Sequence, residues 1–377
     1  MEGYIMDAKS KKGLFIFLLI AYGITFLMLI PMKIGLDKGI DLSAFMNVQM
    51  MYPAAGVMLA KMMTKEKDEK LPIAGYVIFL IGTAVMVVLA LLSIIFPLGQ
   101  IAGTDIYNLI SQLVLIPVSI VTYILFWVCS RQKKENAGVA RKNIGRSIGF
   151  VVLFLVLYFS RFAIGTTLSG LLGDGVANVW SEWINTIKGN LIQEILMIVQ
   201  LPLSFVLTYA AFFGEEYGWR YYLQPVMQKK FGTRNGVLLL GLVWAVWHIG
   251  ADFMFYTRDS GPMMFVSQII TCVSIGIFFG YAYMKTQNIW VPVIMHYLNN
   301  NLILVLAGTM DPNILQNQSV AWSDIPVALV QSLVFVAFIL AKEFRKNPKP
   351  AEIEAAAQPV AVAAEAAAEQ AVEQPNE

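Results

Sequence analysis

The chain contains two histidines, and both lie within apolar stretches. His248 follows the run LVWAVW, and His296 follows VPVIM. An acidic pair, Glu215-Glu216, interrupts a third apolar stretch. Ionisable groups are costly to bury in apolar surroundings, so these residues are candidates for a site that carries out chemistry.

The spacing of the charged residues separates the two carboxyl groups. Glu216 and Arg220 are four residues apart, so in a helix they share one face and can pair. Pairing offsets much of the cost of burying both charges. Glu215 points about 100° away in a helix of 3.6 residues per turn. Glu215 is therefore the unpaired carboxyl, as a general base would be.

The depth of the polar residues in their helices points to one shared pocket. His296 and Asn300 are again four residues apart and project from one face. With a rise of about 1.5 Å per residue, Glu215, His248 and His296 each lie roughly 15–20 Å from the basic loop at the end of their helix. The alternative interpretation is that each of these polar residues only joins two helices and has no role in chemistry. Their common depth favours one polar pocket, which we expect to open toward the basic loops.

The composition identifies the surroundings of these residues. Of the 377 residues 58% are hydrophobic and 14% are charged, against roughly 45–50% and 25% in soluble domains. These values exclude a soluble domain, a disordered chain and a nucleic-acid-binding protein. The two cysteines, Cys129 and Cys272, lie in apolar stretches and form neither a disulfide framework nor a CxxC metal site. The predicted fold class is an all-α, polytopic transmembrane helix bundle.

Runs of about 20 apolar residues are long enough to cross a bilayer. Ten candidates, for an expected eight to ten spans, occur near 14–32, 43–60, 71–97, 108–130, 148–172, 201–224, 236–256, 263–284, 289–308 and 323–341. The segment 176–200 is predicted to be an interfacial amphipathic helix, with Pro202 beginning the next span.

The positive charges predict the orientation of these spans. Of the 27 Lys and Arg residues, 21 fall in alternate segments that would share one side, and four fall in the opposite loops. The positive-inside rule then places both termini in the cytoplasm and the loops near Asp105, Asp174 and Asn313 outside. We expect an integral, multi-pass protein of the cell membrane. Residues 1–346 form the predicted membrane domain, and 347–377 form a disordered cytoplasmic tail rich in Ala, Glu and Pro.

Three short motifs, taken together, resemble one protein family. They are EExxxR at Glu215, an aromatic residue four positions before His248, and HxxxN at His296. In this order they are similar to the CPBP family of CAAX proteases and bacteriocin-processing (Abi) intramembrane proteases. The resemblance covers about 205–310, the predicted catalytic core. Trp244 departs from the family, which usually has Phe at that position.

The resemblance implies an intramembrane endopeptidase and assigns a role to each residue. Glu215 would activate the water that attacks the scissile carbonyl, and Glu216 with Arg220 would orient Glu215. The remaining residues would bind a metal, or position water and stabilise the oxyanion; they are His248, His296 and Asn300. Zinc or another divalent metal held by Glu215, His248 and His296 is one alternative, because two histidines and a carboxylate form an acceptable catalytic zinc set. A metal-free glutamate mechanism is the other.

Other assignments stay open or are excluded. The chain lacks the HExxH of zinc-dependent intramembrane proteases and the GxSG of rhomboid-like serine proteases. The expected substrate is a membrane-associated protein or peptide, which is prenylated or unmodified, and the other expected partner is the lipid bilayer. A transporter, or a non-enzymatic immunity or scaffold protein with the same fold, is the alternative function. Arg161 is expected to pair within the bundle or to reach the interface. Asp252 could hydrogen-bond His248, although a structural role without that contact is the favoured interpretation.

Overall fold

The structure is a computed structural model that describes residues 6–173 and 175–345. Over these residues the chain is an all-α helical bundle, which confirms the predicted fold class. Asp174 and the predicted tail at 347–377 lie outside the described residues. Helices suit this sequence because only regular hydrogen bonding within each segment satisfies a backbone that is surrounded by apolar material.

The main helices follow in chain order. They are α1 (Ala8–Asp37), α2 (Ser43–Gln49), α3 (Tyr52–Thr64), α4 (Ile73–Ile95), α5 (Ile106–Val128), α6 (Ile144–Leu172), α7 (Val176–Gly189), α8 (Leu191–Phe231), α9 (Thr233–Met254), α10 (Gly261–Thr286), α11 (Trp290–Ala307) and α12 (Asp324–Leu340). Shorter helical segments are Arg131–Asn136, Pro312–Leu315 and Lys342–Arg345. The strands β1 (Gln100–Ile101) and β2 (Thr104–Asp105) form a two-stranded antiparallel hairpin.

Local chemistry explains several helix boundaries and irregularities. The Asp105 carboxylate accepts a hydrogen bond from the Asn108 backbone N–H and so caps the start of α5. Proline in the first turn begins α10, since that position needs no backbone donor. Helix α8 contains a π-helical segment, Tyr217–Leu223, directly after the acidic pair, and such segments are frequent at functional sites. Helix α9 is interrupted at His248.

In the part of the chain that the structure describes, eight helices are long and apolar enough to cross a membrane, within the predicted range of eight to ten. The predicted run 43–60 is instead divided between α2 and α3, which have 7 and 13 residues. The run 323–341 corresponds to α12, a shorter apolar helix. Each of these helices is shorter than the about 20 residues that cross a bilayer.

A separate helix within the predicted segment 176–200 is confirmed only over its first half, and its interfacial position stays a prediction. Helix α7 ends at Gly189, and α8 begins at Leu191. Pro202 therefore lies inside α8 instead of beginning it. A proline inside a helix removes one backbone hydrogen bond, and α8 continues through it.

Hydrogen bonds bring the basic loops together at one end of the bundle. The Lys61 ammonium donates to the carbonyl of Asn136 at 2.9 Å. The Arg146 guanidinium donates to the carbonyl of Lys285 at 3.0 Å, and Lys285 pairs with Glu343 at 2.8 Å. These loops define the basic end.

The loops at the other end of each helix are also joined to one another. The Gln316 amide donates to Asp41 and Ser43 at 3.2 and 3.0 Å. The backbone N–H of Gln318 donates to the carbonyl of Tyr256 at 2.6 Å. We call this the opposite end of the bundle. The fold thus gathers several loops of each predicted group at a separate end, and the orientation in a membrane stays a prediction.

Two glycines allow α3 to approach α8 beside the acidic pair. A Cβ atom on Gly214 would overlap the backbone carbonyl of Met50, and one on Gly218 would overlap Pro53. The chain between α2 and α3 therefore packs directly on the backbone of α8. This contact places Glu215 in the interior of the bundle, where it is 2% exposed.

Candidate active site

One cavity of about 560 Å³ contains the predicted catalytic residues. Glu215 enters it from α8, His248 from the break in α9, and His296 and Asn300 from α11. Helices α2, α6, α10 and α12 and loops at the opposite end also contribute to the wall. The structure thus brings together four side chains that are up to 85 positions apart in the chain. Their catalytic roles remain predictions.

Neutral donors hold the Glu215 carboxylate. Its Oε2 atom accepts hydrogen bonds from the indole N–H groups of Trp244, at 2.8 Å, and Trp219, at 3.4 Å. No Lys or Arg within the described part of the chain forms an ion pair with Glu215. The carboxylate is therefore oriented without being neutralised by a cation.

Glu216 connects two helices through two buried partners. Its Oε2 atom lies 3.1 Å from Nε of Arg220, and both side chains are 0% exposed. Its Oε1 atom accepts a hydrogen bond from Nδ1 of His296 at 2.9 Å. The pairing expected from the i, i+4 spacing is present, and the bond to His296 is an additional one. Because Nδ1 of His296 faces Glu216, Nε2 is the ring nitrogen that is left for the cavity.

Trp244 has two contacts that its sequence position does not reveal. Its N–H group donates to Glu215, and its ring lies 4.7 Å from the guanidinium carbon of Arg220. The second contact is a cation–π interaction, which stabilises a buried guanidinium. Phenylalanine, the usual residue of the family resembled, could form the ring contact but has no N–H to donate.

His248 is positioned by the backbone of its own helix. Its Nδ1 atom donates to the carbonyl of Trp244 at 2.9 Å, which leaves Nε2 as the second ring nitrogen. The hydrogen bond from His248 to Asp252 that the sequence allowed is absent: both carboxylate oxygens of Asp252 are buried without a hydrogen-bond partner in the described structure. The carbonyl of Trp244, one turn before His248, occupies Nδ1 instead.

Asn300 contributes a polar side chain to the same wall. Its amide oxygen accepts a hydrogen bond from the amide of Asn299 at 2.9 Å. The amide nitrogen is therefore the donor group that Asn300 retains for a ligand.

The cavity extends toward the opposite end of the bundle. Its lining includes Tyr256, Leu315 and Gln318 from the loops at that end, and no residue of the basic loops. The expectation that the pocket opens toward the basic loops is therefore wrong. Depth along each helix fixed the level of the polar residues, but the tertiary packing decided the end toward which the cavity extends.

The donor set does not fit a three-ligand metal site in this structure. Among the residues described, no three His, Cys, Asp or Glu side chains are grouped so that they could hold a metal ion. The hydrolysis that we propose for these residues therefore uses no metal.

Part of the chain is similar in sequence to known proteins. The sequence model of the family described as type II CAAX prenyl endopeptidase Rce1-like matches residues 197–302, which include every candidate site residue named above. The curated protein "CAAX prenyl protease 2" of Methanococcus maripaludis is 25% identical over 122 residues, which are 31% of this chain and 45% of that protein. The match thus spans about half of the relative's length. No solved structure matches the chain. The resemblance to the CPBP family is confirmed over this segment.

Proposed function

We propose that this chain is an integral membrane endopeptidase that hydrolyses a peptide bond with water activated by Glu215. The observation that carries the proposal is the cavity in which Glu215, His248, His296 and Asn300 meet. The match to an endopeptidase family over 197–302 supports the same class of reaction. The protein's substrate is a protein or peptide.

The residues of the cavity suffice for a complete hydrolysis. Glu215 takes a proton from water, and the hydroxide attacks the carbonyl carbon of the scissile bond. Asn300, through its amide N–H group, stabilises the negative charge on the carbonyl oxygen. When the C–N bond breaks, protonated Glu215 returns its proton to the leaving amine. The Nε2 atoms of His248 and His296 orient the water during the attack.

Cleavage by the purified protein tests this proposal. Wild-type protein in liposomes is offered a library of prenylated and unmodified peptides, and products are identified by mass spectrometry. We expect cleavage at defined bonds, with a Glu215→Gln sample as the background. If wild-type protein cleaves nothing while it still complements a deletion strain, the non-enzymatic alternative replaces the protease.

Chelation decides between the metal-free and metal-dependent alternatives. We expect the wild-type rate to change less than about 2-fold after treatment with 1,10-phenanthroline and dialysis, since general-base catalysis by a carboxylate needs no metal. The non-chelating 1,7-isomer is the matched control. Loss of activity that added zinc restores would show that Glu215, His248 and His296 rearrange to hold a metal.

The two ends of the bundle give a test of orientation. We propose that the basic end faces the cytoplasm, so that the cavity opens toward the outer side. In a background without Cys129, an impermeant maleimide should label Asp259→Cys in intact cells and Gln132→Cys only after permeabilisation. Both positions are exposed, at the opposite end and the basic end respectively. Labelling of Gln132→Cys in intact cells would reverse the orientation.

A further inference from the structure

A second charged residue lines the cavity. Arg161, on α6, is half-buried and belongs to the cavity wall. Among the residues that line this cavity, Glu215 is the sole carboxylate and Arg161 the sole Lys or Arg. The cavity therefore has one anionic and one cationic position.

Of the two alternatives for Arg161, pairing within the bundle is not observed among the described residues. Its guanidinium forms no ion pair or hydrogen bond within 6–173 and 175–345. Arg220 differs, because Glu216 lies 3.1 Å from it. A cation inside an apolar helix without a counter-ion is costly, and an anionic ligand would offset that cost.

The contacts of α6 place Arg161 along the cavity. The hydroxyl of Tyr158, three residues before Arg161, donates to the carbonyl of Asn299 at 3.2 Å. Asn299 is three residues beyond His296 on α11. Helices α6 and α11 both begin at the basic end. With a rise of about 1.5 Å per residue, Arg161 lies roughly 9 Å farther from the basic end than His296. This distance between the levels of His296 and Arg161 corresponds to the length of about three residues of an extended peptide.

A neutral amide lies beside this cation. Gln331 of α12 also lines the cavity. A Cβ atom on Gly165, one turn after Arg161, would overlap the Gln331 side chain. The close approach of α6 and α12 therefore places an amide near the guanidinium, and its N–H groups can donate to the same ligand.

We propose that Arg161, assisted by Gln331, binds a carboxylate of the peptide substrate. A guanidinium suits this ligand because its planar fork matches a carboxylate with two parallel hydrogen bonds. The bound carboxylate would lie roughly 9 Å from the level of His296, measured along the helices. This distance determines which peptide bond of the substrate lies beside Glu215. The inference rests on the proposed function, and it applies to a C-terminal carboxylate or an acidic side chain.

Matched peptides separate the two sources of the carboxylate. Each peptide is prepared with a free C-terminal acid or a C-terminal amide, and with Glu or Gln at each of the three positions after the scissile bond. Wild-type protein should prefer one acidic form by about 10- to 100-fold in kcat/KM, as expected for a hydrogen bond to a charged group. Dependence on the C-terminal acid, or on the Glu side chain, identifies which group Arg161 binds.

Substitution of Arg161 tests whether this residue causes the preference. Arg161→Gln should abolish the preference and leave cleavage of the amide or Gln form near the wild-type rate. Arg161→Lys, which keeps the charge but not the fork, should restore part of it. Arg258→Gln is the matched control, since Arg258 is exposed at the same end and bonds Asn317 outside the cavity wall. An equal loss for both peptide forms, or an unchanged preference, would overturn the inference.

Binding measurements keep this test separate from the test of catalysis. In the Glu215→Gln background, fluorescence anisotropy of labelled acidic and neutral peptides reports the preference without turnover. Preferential binding that disappears with Arg161→Gln supports the carboxylate site even if no variant cleaves peptide, in which case only the proposed protease function fails. Binding that is equal for both peptide forms would refute the carboxylate site.

Discussion

Glu215→Gln is expected to reduce the cleavage rate by about 10²–10⁴-fold, the usual contribution of a general base. Glutamine is similar in size and can still accept the indole hydrogen bonds from Trp244 and Trp219. It cannot take a proton from water. The protein should therefore remain folded while its chemistry is lost.

The measurement is kcat/KM on the best library peptide, together with elution volume and thermal unfolding in detergent. Asp252→Asn is the matched control, because Asp252 is a second buried carboxyl in the described structure and neither lines the cavity nor bonds a site residue through its side chain. Its activity should stay within a few-fold of wild type. Full activity of Glu215→Gln would remove Glu215 from the mechanism.

Glu216→Gln is expected to destabilise the folded protein by about 3–5 kcal/mol, the usual cost of breaking a buried ion pair. The substitution leaves the Arg220 guanidinium, which is 0% exposed, without its counter-ion. It also weakens the bond between Glu216 and Nδ1 of His296, which joins α8 to α11. Unfolding should therefore occur at a lower denaturant concentration or temperature.

Chemical denaturation in mixed micelles measures this free energy of unfolding. Glu343→Gln is the matched control: Glu343 pairs with Lys285 at the partly exposed basic end, where such a pair contributes about 0–1 kcal/mol. If Glu216→Gln is as stable as wild type but inactive, while Glu215→Gln is active, the roles of the two carboxylates are reversed.

The sequence alone determined the features that depend on local spacing. Continuous apolar runs predicted the helices, because a backbone in apolar surroundings must satisfy its hydrogen bonds within the segment. The i, i+4 interval predicted the contact of Glu216 with Arg220, because those two positions are neighbours on any helix. The number of residues between each of Glu215, His248 and His296 and its basic loop predicted that the three side chains lie at a similar depth in the bundle.

Tertiary structure decided the contacts between helices that are distant in sequence. Glu216 bonds His296 across 80 positions, and Trp244 reaches Glu215 across 29. Neither contact follows from periodicity, because each depends on how closely helices pack and on where a side chain has space. Gly214 shows the cause: without a Cβ atom there, the backbone at Met50 can lie against α8. Tertiary structure also decided that the run 43–60 forms two short helices and that the cavity extends to the end opposite the basic loops.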